Sequence, residues 1–144
     1  MNSQLSVMQK SIDLGLQTLK IMDRQLKSQV SSDLTSKLNG YNQVEMAYPD
    51  LDEFYSNSPS LNHKVRHVGS LLTDMRFAVY EEAFVQHHVH GFMDRAGWKV
   101  WQRLIQHWIE KPFFVSYWHE GKGFFNESFS RFVDELMSKE EIDS

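Results

Sequence analysis

Ten apolar residues, Leu5, Met8, Ile12, Leu16, Leu19, Met22, Leu26, Val30, Leu34 and Leu38, recur through the first forty positions. Nine steps across 33 positions average 3.67 residues, close to the 3.6 of a straight α-helix and away from the 3.5 of a left-handed coiled coil. One long helix is therefore expected, from about Ser3 to the Asn39-Gly40 pair or a turn beyond. Asn-Gly is a helix stop, whereas Tyr41, Val44 and Met46 extend the pattern. A stripe this narrow does not stabilise a lone helix, because most helical stability in proteins comes from packing the apolar face. The rod must dock on the rest of the chain, on a copy of itself or on a partner. Ile12, Leu16, Leu19, Met22, Leu26 and Val30 are the expected interaction residues. Gly15 lies beside the stripe, where a missing side chain admits close helix contact at about 1 kcal/mol relative to Ala.

The remaining chain divides by composition. Residues 48–62, YPDLDEFYSNSPSLN, hold two of the three prolines and a cluster of Asp, Ser and Asn, and read as a hinge with one short helical turn after Pro49. Residues 63–138 read as a helical bundle. Its first helix is expected over about 61–93, on Leu61, Val65, Val68, Leu72, Met75 and Val79, widened by Leu71, Ala78, Phe84 and Val85. Gly91 ends it, and Asp94 caps a second helix with Trp98, Trp101, Leu104, Ile105, Trp108 and Ile109 on one face. Pro112 stops that helix, PFFVSYW forms a short amphipathic piece, and EGKG turns the chain. Asn126 or Ser128 then starts a last helix carrying Phe129, Phe132, Val133, Leu136 and Met137. The expected fold is all-α, a long N-terminal amphipathic helix (1–47) plus a compact helical bundle, with 139–144 a frayed acidic tail.

Charge and cysteine content exclude several classes. A net charge of −4 removes the broad basic footprint of a non-specific nucleic-acid binder, so no nucleic-acid partner is expected. The absence of cysteine removes disulfides, thiolate metal sites and cysteine nucleophiles together, and fits a reducing compartment. Cytoplasm is the expected location, and membrane association on its cytoplasmic side is expected only through a segment absent from this chain. No stretch approaches the ~20 apolar residues that span a bilayer. An amphipathic helix that begins at once is also the pattern expected after removal of a membrane anchor.

The order Phe84, Gln86, Gly91, Asp94, Trp98, Trp101, Pro112, Trp118, Phe129, Phe132 and Asp134, preceded by Pro49-Asp50-Leu51, resembles a group of bacterial helical proteins of unknown function. Many of those look like a membrane helix, a Gln-rich stalk and a C-terminal bundle with the pattern FxQ, GxxD, WxxW, Pro, Trp and FxxFxD. The resemblance covers roughly residues 40–138 and implies a helical fold in a membrane-proximal setting, with no activity attached. This chain departs from the pattern in lacking a membrane segment.

Candidates for chemistry are few. His63 and His67, spaced i, i+4, point to one side of a helix as a two-ligand metal pair requires, and His87, His88 and His90 lie within four residues. A protein zinc site needs three or four ligands, so without cysteine the others must be Asp, Glu or the distant His107 and His119. The alternative places His87, His88 and His90 at the polar end of the helix, facing solvent or bonded to neighbours. Adjacent Glu81 and Glu82 splay apart by ~100 degrees, poor geometry for a shared proton; one is expected to face solvent, the other to meet Arg76 or the His87 region. Gly121-Lys122-Gly123 lacks the Walker spacing and reads as a turn. Trp98, Trp101 and Trp108, interleaved with Arg95, Lys99 and Arg103, fall at core spacing rather than as a base-stacking platform. These residues together read as a non-enzymatic helical interaction or structural module, without cofactor, forming a homo-oligomer or docking a protein partner through its N-terminal helix. The alternative is a small-ligand or metal-binding sensor using the His- and aromatic-rich bundle.

Overall fold

A computed structural model describes the backbone of residues 2–143 and the side chains of residues 2–139. Its elements are helices α1 (Asn2–Met46), α2 (Leu51–Tyr55), α3 (His63–His88), α4 (Arg95–Ile109), α5 (Phe114–Gly121) and α6 (Glu127–Asp143), with a 3-10 turn at Lys122–Phe124 between the last two. No strand occurs among the described residues, and the chain is all-α.

The helix boundaries follow local chemistry. Asn62 caps α3 by accepting from the Lys64 N–H at 2.8 Å, and Asp94 caps α4 by accepting from Gly97 N–H at 2.8 Å. Gly91, at φ 68°, takes the left-handed conformation that turns the chain after α3. Asn126, rather than Ser128, caps α6, accepting from the N–H groups of Ser128 and Phe129 at 2.8 and 3.3 Å. Glu81 on α3 accepts a 2.6 Å bond from the Asn126 N–H, so the start of α6 is pinned to the last third of α3. Of the expected frayed tail 139–144, α6 continues through Asp143, and Ser144 lies outside the described residues.

α1 runs through Asn39-Gly40 without a break and ends six residues later. The stop signal is overridden because this part of α1 packs antiparallel on α3. Lys37 pairs with Glu82 at 3.2 Å, while Asn42 and Glu45 accept from Arg76 at 2.7 and 2.6 Å, so rising numbers on one helix meet falling numbers on the other. Leu34 and Leu38 are buried there, with Val30 and Tyr41 packed against the same core.

The expected hinge is part of this core. Leu51, Phe54 and Tyr55 of α2 are buried, and Tyr55 stacks edge-on against Trp108 of α4. Gly69 of α3 makes room for the contact, since a Cβ there would overlap the Phe54 ring. The buried face of α3 is Gly69, Leu72, Thr73, Arg76, Phe77, Val79, Tyr80, Ala83 and Phe84. It is rotated from the expected stripe, and Leu71, Met75 and Ala78 are exposed. Hydrophobic periodicity does not reveal the rotation, because it puts an arginine, a threonine and a tyrosine on the inner side. Around Phe77 the core is ring on ring, with Tyr80, Phe114 and Trp118 at centroid distances of 5.1, 5.0 and 6.0 Å. Trp118 donates its indole N–H to Asp134 at 2.8 Å, which fastens α5 to α6.

Candidate functional site

α3 ends at His88, but its antiparallel neighbour α1 continues past that end. Lys27, Ser28 and Ser31 lie beside Phe92, Met93, Asp94 and Gly97 at the margin of the bundle. From Asn2 to Leu26 every side chain is exposed. At 1.5 Å per residue this free segment is roughly 37 Å long. The expected interaction residues therefore divide. Val30 packs on the core, whereas Ile12, Leu16, Leu19, Met22 and Leu26 project into solvent with 45–62% of their surface exposed. Leu5 and Met8 continue the row at 63% and 60%.

This is a large unpartnered apolar surface on a lone helix. Complete burial of a leucine-sized side chain is worth about 1.5–3 kcal/mol, so finishing the burial of seven half-exposed ones is worth on the order of 5–10 kcal/mol per chain before ordering costs. Contiguous apolar surface of that kind marks an interaction site. The segment's polar contacts are all local and leave the stripe free: Gln9 donates to Asp13 at 3.2 Å, Thr18 to the Leu14 carbonyl at 2.9 Å, and Lys27 pairs with Asp23 at 3.0 Å.

The helix is anchored at its other end by a buried cation. Arg76 is 2% exposed, its Nη1 donating to Asn42 Oδ1 and its Nη2 to Glu45 Oε2, with the guanidinium 4.7 Å from the centroid of the Trp108 ring. Tyr55 and Tyr80 complete the surroundings. Burial pushes the Tyr80 hydroxyl up to about 12, and burial with the Glu45 carboxylate raises Tyr55 further. Glu45 is the only carboxylate paired with Arg76 among the described residues, so peeling α1 from α3 would leave a buried guanidinium without its counter-charge. Neither Glu81 nor Glu82, one of which is expected to meet Arg76 or the His87 region, does so: the first bonds Asn126 and the second pairs with Lys37. No local pattern marks Glu45 as the partner, since it lies 31 residues from Arg76.

The histidines do not gather. His63 and His67 are exposed on the first turns of α3, and His87 and His88 are at its opposite end, roughly 30 Å away at helical rise. Among the described residues no three His, Asp or Glu side chains converge as a metal ion requires. His87 stacks on Trp98 with an interplanar angle of 8° and its Nδ1 lies 2.8 Å from the Met93 carbonyl, while His88 contacts Phe84 and the edge of Trp98 and His90 stacks on Phe92. Burial, with His87 beside it, lowers the His88 pKa below the usual imidazole value. Trp98, Trp101 and Trp108 are buried, whereas Arg95, Lys99 and Arg103 are exposed, so the cations and the rings face opposite ways. Gly121-Lys122-Gly123 ends α5 and enters the 3-10 turn.

Among the described residues no helix is long and apolar enough to cross a membrane. Compared with protein-family models, curated proteins and solved structures, the chain matches none.

Proposed function

We propose that the protein is a non-enzymatic helical interaction module whose core of packed helices holds the first half of α1 out as a self-association surface. One observation carries this reading: a single continuous helix has its last third embedded in the core, through Leu34 and Leu38, while the same stripe from Leu5 to Leu26 stays in water. An apolar row that had only to stabilise the monomer would end with the bundle. Symmetric pairing with copies of the chain is the commonest fate of such a surface.

The test is a change of mass without a change of fold. Glutamate at Leu19 and Leu26 places charges where an interface would bury them, and both side chains are exposed in the monomer, at 62% and 45%. Light scattering should show the unmodified chain as an oligomer and the variant as a monomer, with the same helicity and the same thermal midpoint extrapolated to low concentration. A variant that keeps the parent's mass would place the contact elsewhere on the molecule.

A further inference from the structure

α1 carries two periods. From Leu5 to Leu26 the row takes six steps over 21 positions, 3.5 residues a step, whereas from Leu26 through Val30 and Leu34 to Leu38 every step is four. The average of 3.67 hides the change, which falls where α1 meets the bundle. A 3.5-residue repeat is the period of helices that wrap another helix, and the strict three-four alternation runs through Leu5, Met8, Ile12, Gly15, Leu19, Met22 and Leu26.

Gly15 is then a member of the seam. A Cβ added there meets nothing within 4 Å, so nothing in the chain itself requires a small residue, and glycine in a helix interior is unfavourable. Resting on the self-association reading above, we propose that residues 5–29 of α1 pair with the same segment of a second copy in an antiparallel two-helix seam. Met8 faces Leu26 of the second copy, Ile12 faces Met22, and Gly15 faces Leu19. Large residues fill the space that each glycine leaves.

A parallel, in-register pair lacks this fit. It sets Gly15 against Gly15 and opens a void between the Ile12 and Leu19 layers, which close-packed interiors avoid. It also places Leu16, at the flank of the seam, opposite Ser11. In the antiparallel pair Leu16 meets Leu16 across the two-fold axis, Asp23 faces Gln9, and no like charges meet. The lengths agree as well. Pairing over the whole free segment brings each N-terminus to the other chain's bundle end near Phe92 and Met93, where Leu5 lies against Gln29, and six layers between them, from Met8–Leu26 to Leu26–Met8, form the seam. Val7, Leu14 and Ile21, also exposed, repeat every seven residues on another side and lie outside this seam.

The chain has no cysteine, so introduced thiols report only on the intended positions. Ile12→Cys and Met22→Cys proteins, purified separately, co-refolded and mildly oxidised, should give chiefly the mixed 12–22 disulfide, because like positions then lie roughly 15 Å apart and a disulfide needs Cα atoms within ~7 Å. Leu16→Cys, a flank change that leaves the seam layers intact, should cross-link to itself. Dominant 12–12 and 22–22 products would overturn the antiparallel arrangement while leaving self-association in place. Absence of cross-linking from all three proteins, with monomeric mass at high micromolar concentration, would overturn the pairing and the self-association reading together.

Discussion

Glu45 Oε2 lies 2.6 Å from Nη2 of Arg76, and this contact spans 31 residues of sequence to join α1 to α3. It sets the register in which α1 crosses the bundle, and so decides which residues of the stripe are buried and which project. Arg76 has only 2% of its side chain exposed, whereas Glu45 keeps 27%. Removing the acid leaves the cation stranded.

Glu45→Ala should therefore destabilise the chain by about 2–4 kcal/mol, below the ~3–5 kcal/mol of a fully buried pair because Glu45 keeps some water. Lys37→Ala breaks a pair exposed on both sides and should cost under ~1 kcal/mol. Urea unfolding of both variants checks the ranking, and equal losses would mean that Arg76 does not depend on Glu45.

Trp98, Trp101 and Trp108 are each 5–6% exposed. Trp101→Ala should lower stability by about 3–5 kcal/mol, as large aromatic deletions do. Native fluorescence should be blue-shifted and should move red only on unfolding; emission typical of hydrated indole in the native protein would contradict the core assignment.

Two glycines on well-packed helices should respond oppositely to alanine. Gly40 has open space around its Cβ position, so Gly40→Ala should add about 0.5–1 kcal/mol through helix propensity. Gly69→Ala drives a methyl into Phe54 and should cost about 1–3 kcal/mol. Thermal melts of the two variants should shift in opposite directions.

Stability should fall at alkaline pH. Tyr55, Tyr80 and Tyr117 have raised pKa values, chiefly from burial, so above pH ~10 the unfolded chain loses phenolic protons that the folded chain retains. The folded state then binds more protons, and stability declines as pH rises. His88 acts at the other end of the scale. Its lowered pKa means the unfolded chain takes up a proton first as pH drops below ~6.5, giving a small loss there that His88→Gln should remove. Urea midpoints measured across pH check both signs.

Much of the architecture is legible in the sequence alone. The aromatic stripe of α4, the cap Asp94 and the turn at Gly91 are local signals that lie where their patterns place them, and the start of α6 falls on Asn126, one of the two caps the pattern allows. The features that escape depend on distance in sequence. Arg76, Thr73 and Tyr80 look polar, so periodicity puts the inner face of α3 on Met75 and Leu71, because the counter-charge that admits Arg76 to the core lies on another helix. The segment 48–62 reads as a hinge because its Asp, Ser and Asn outnumber the three side chains, Leu51, Phe54 and Tyr55, that fold inward. For the surface on α1, the row is visible and its division is not, since an averaged period conceals where four-residue steps give way to 3.5.

Sedimentation equilibrium of the unmodified chain, from low to high micromolar concentration, tests the central claim most directly. A self-associating free segment predicts reversible assembly over this range, abolished by glutamate at Leu19 and Leu26 without loss of bundle stability. A chain that sediments as a 17.0 kDa monomer at the highest concentration would contradict it.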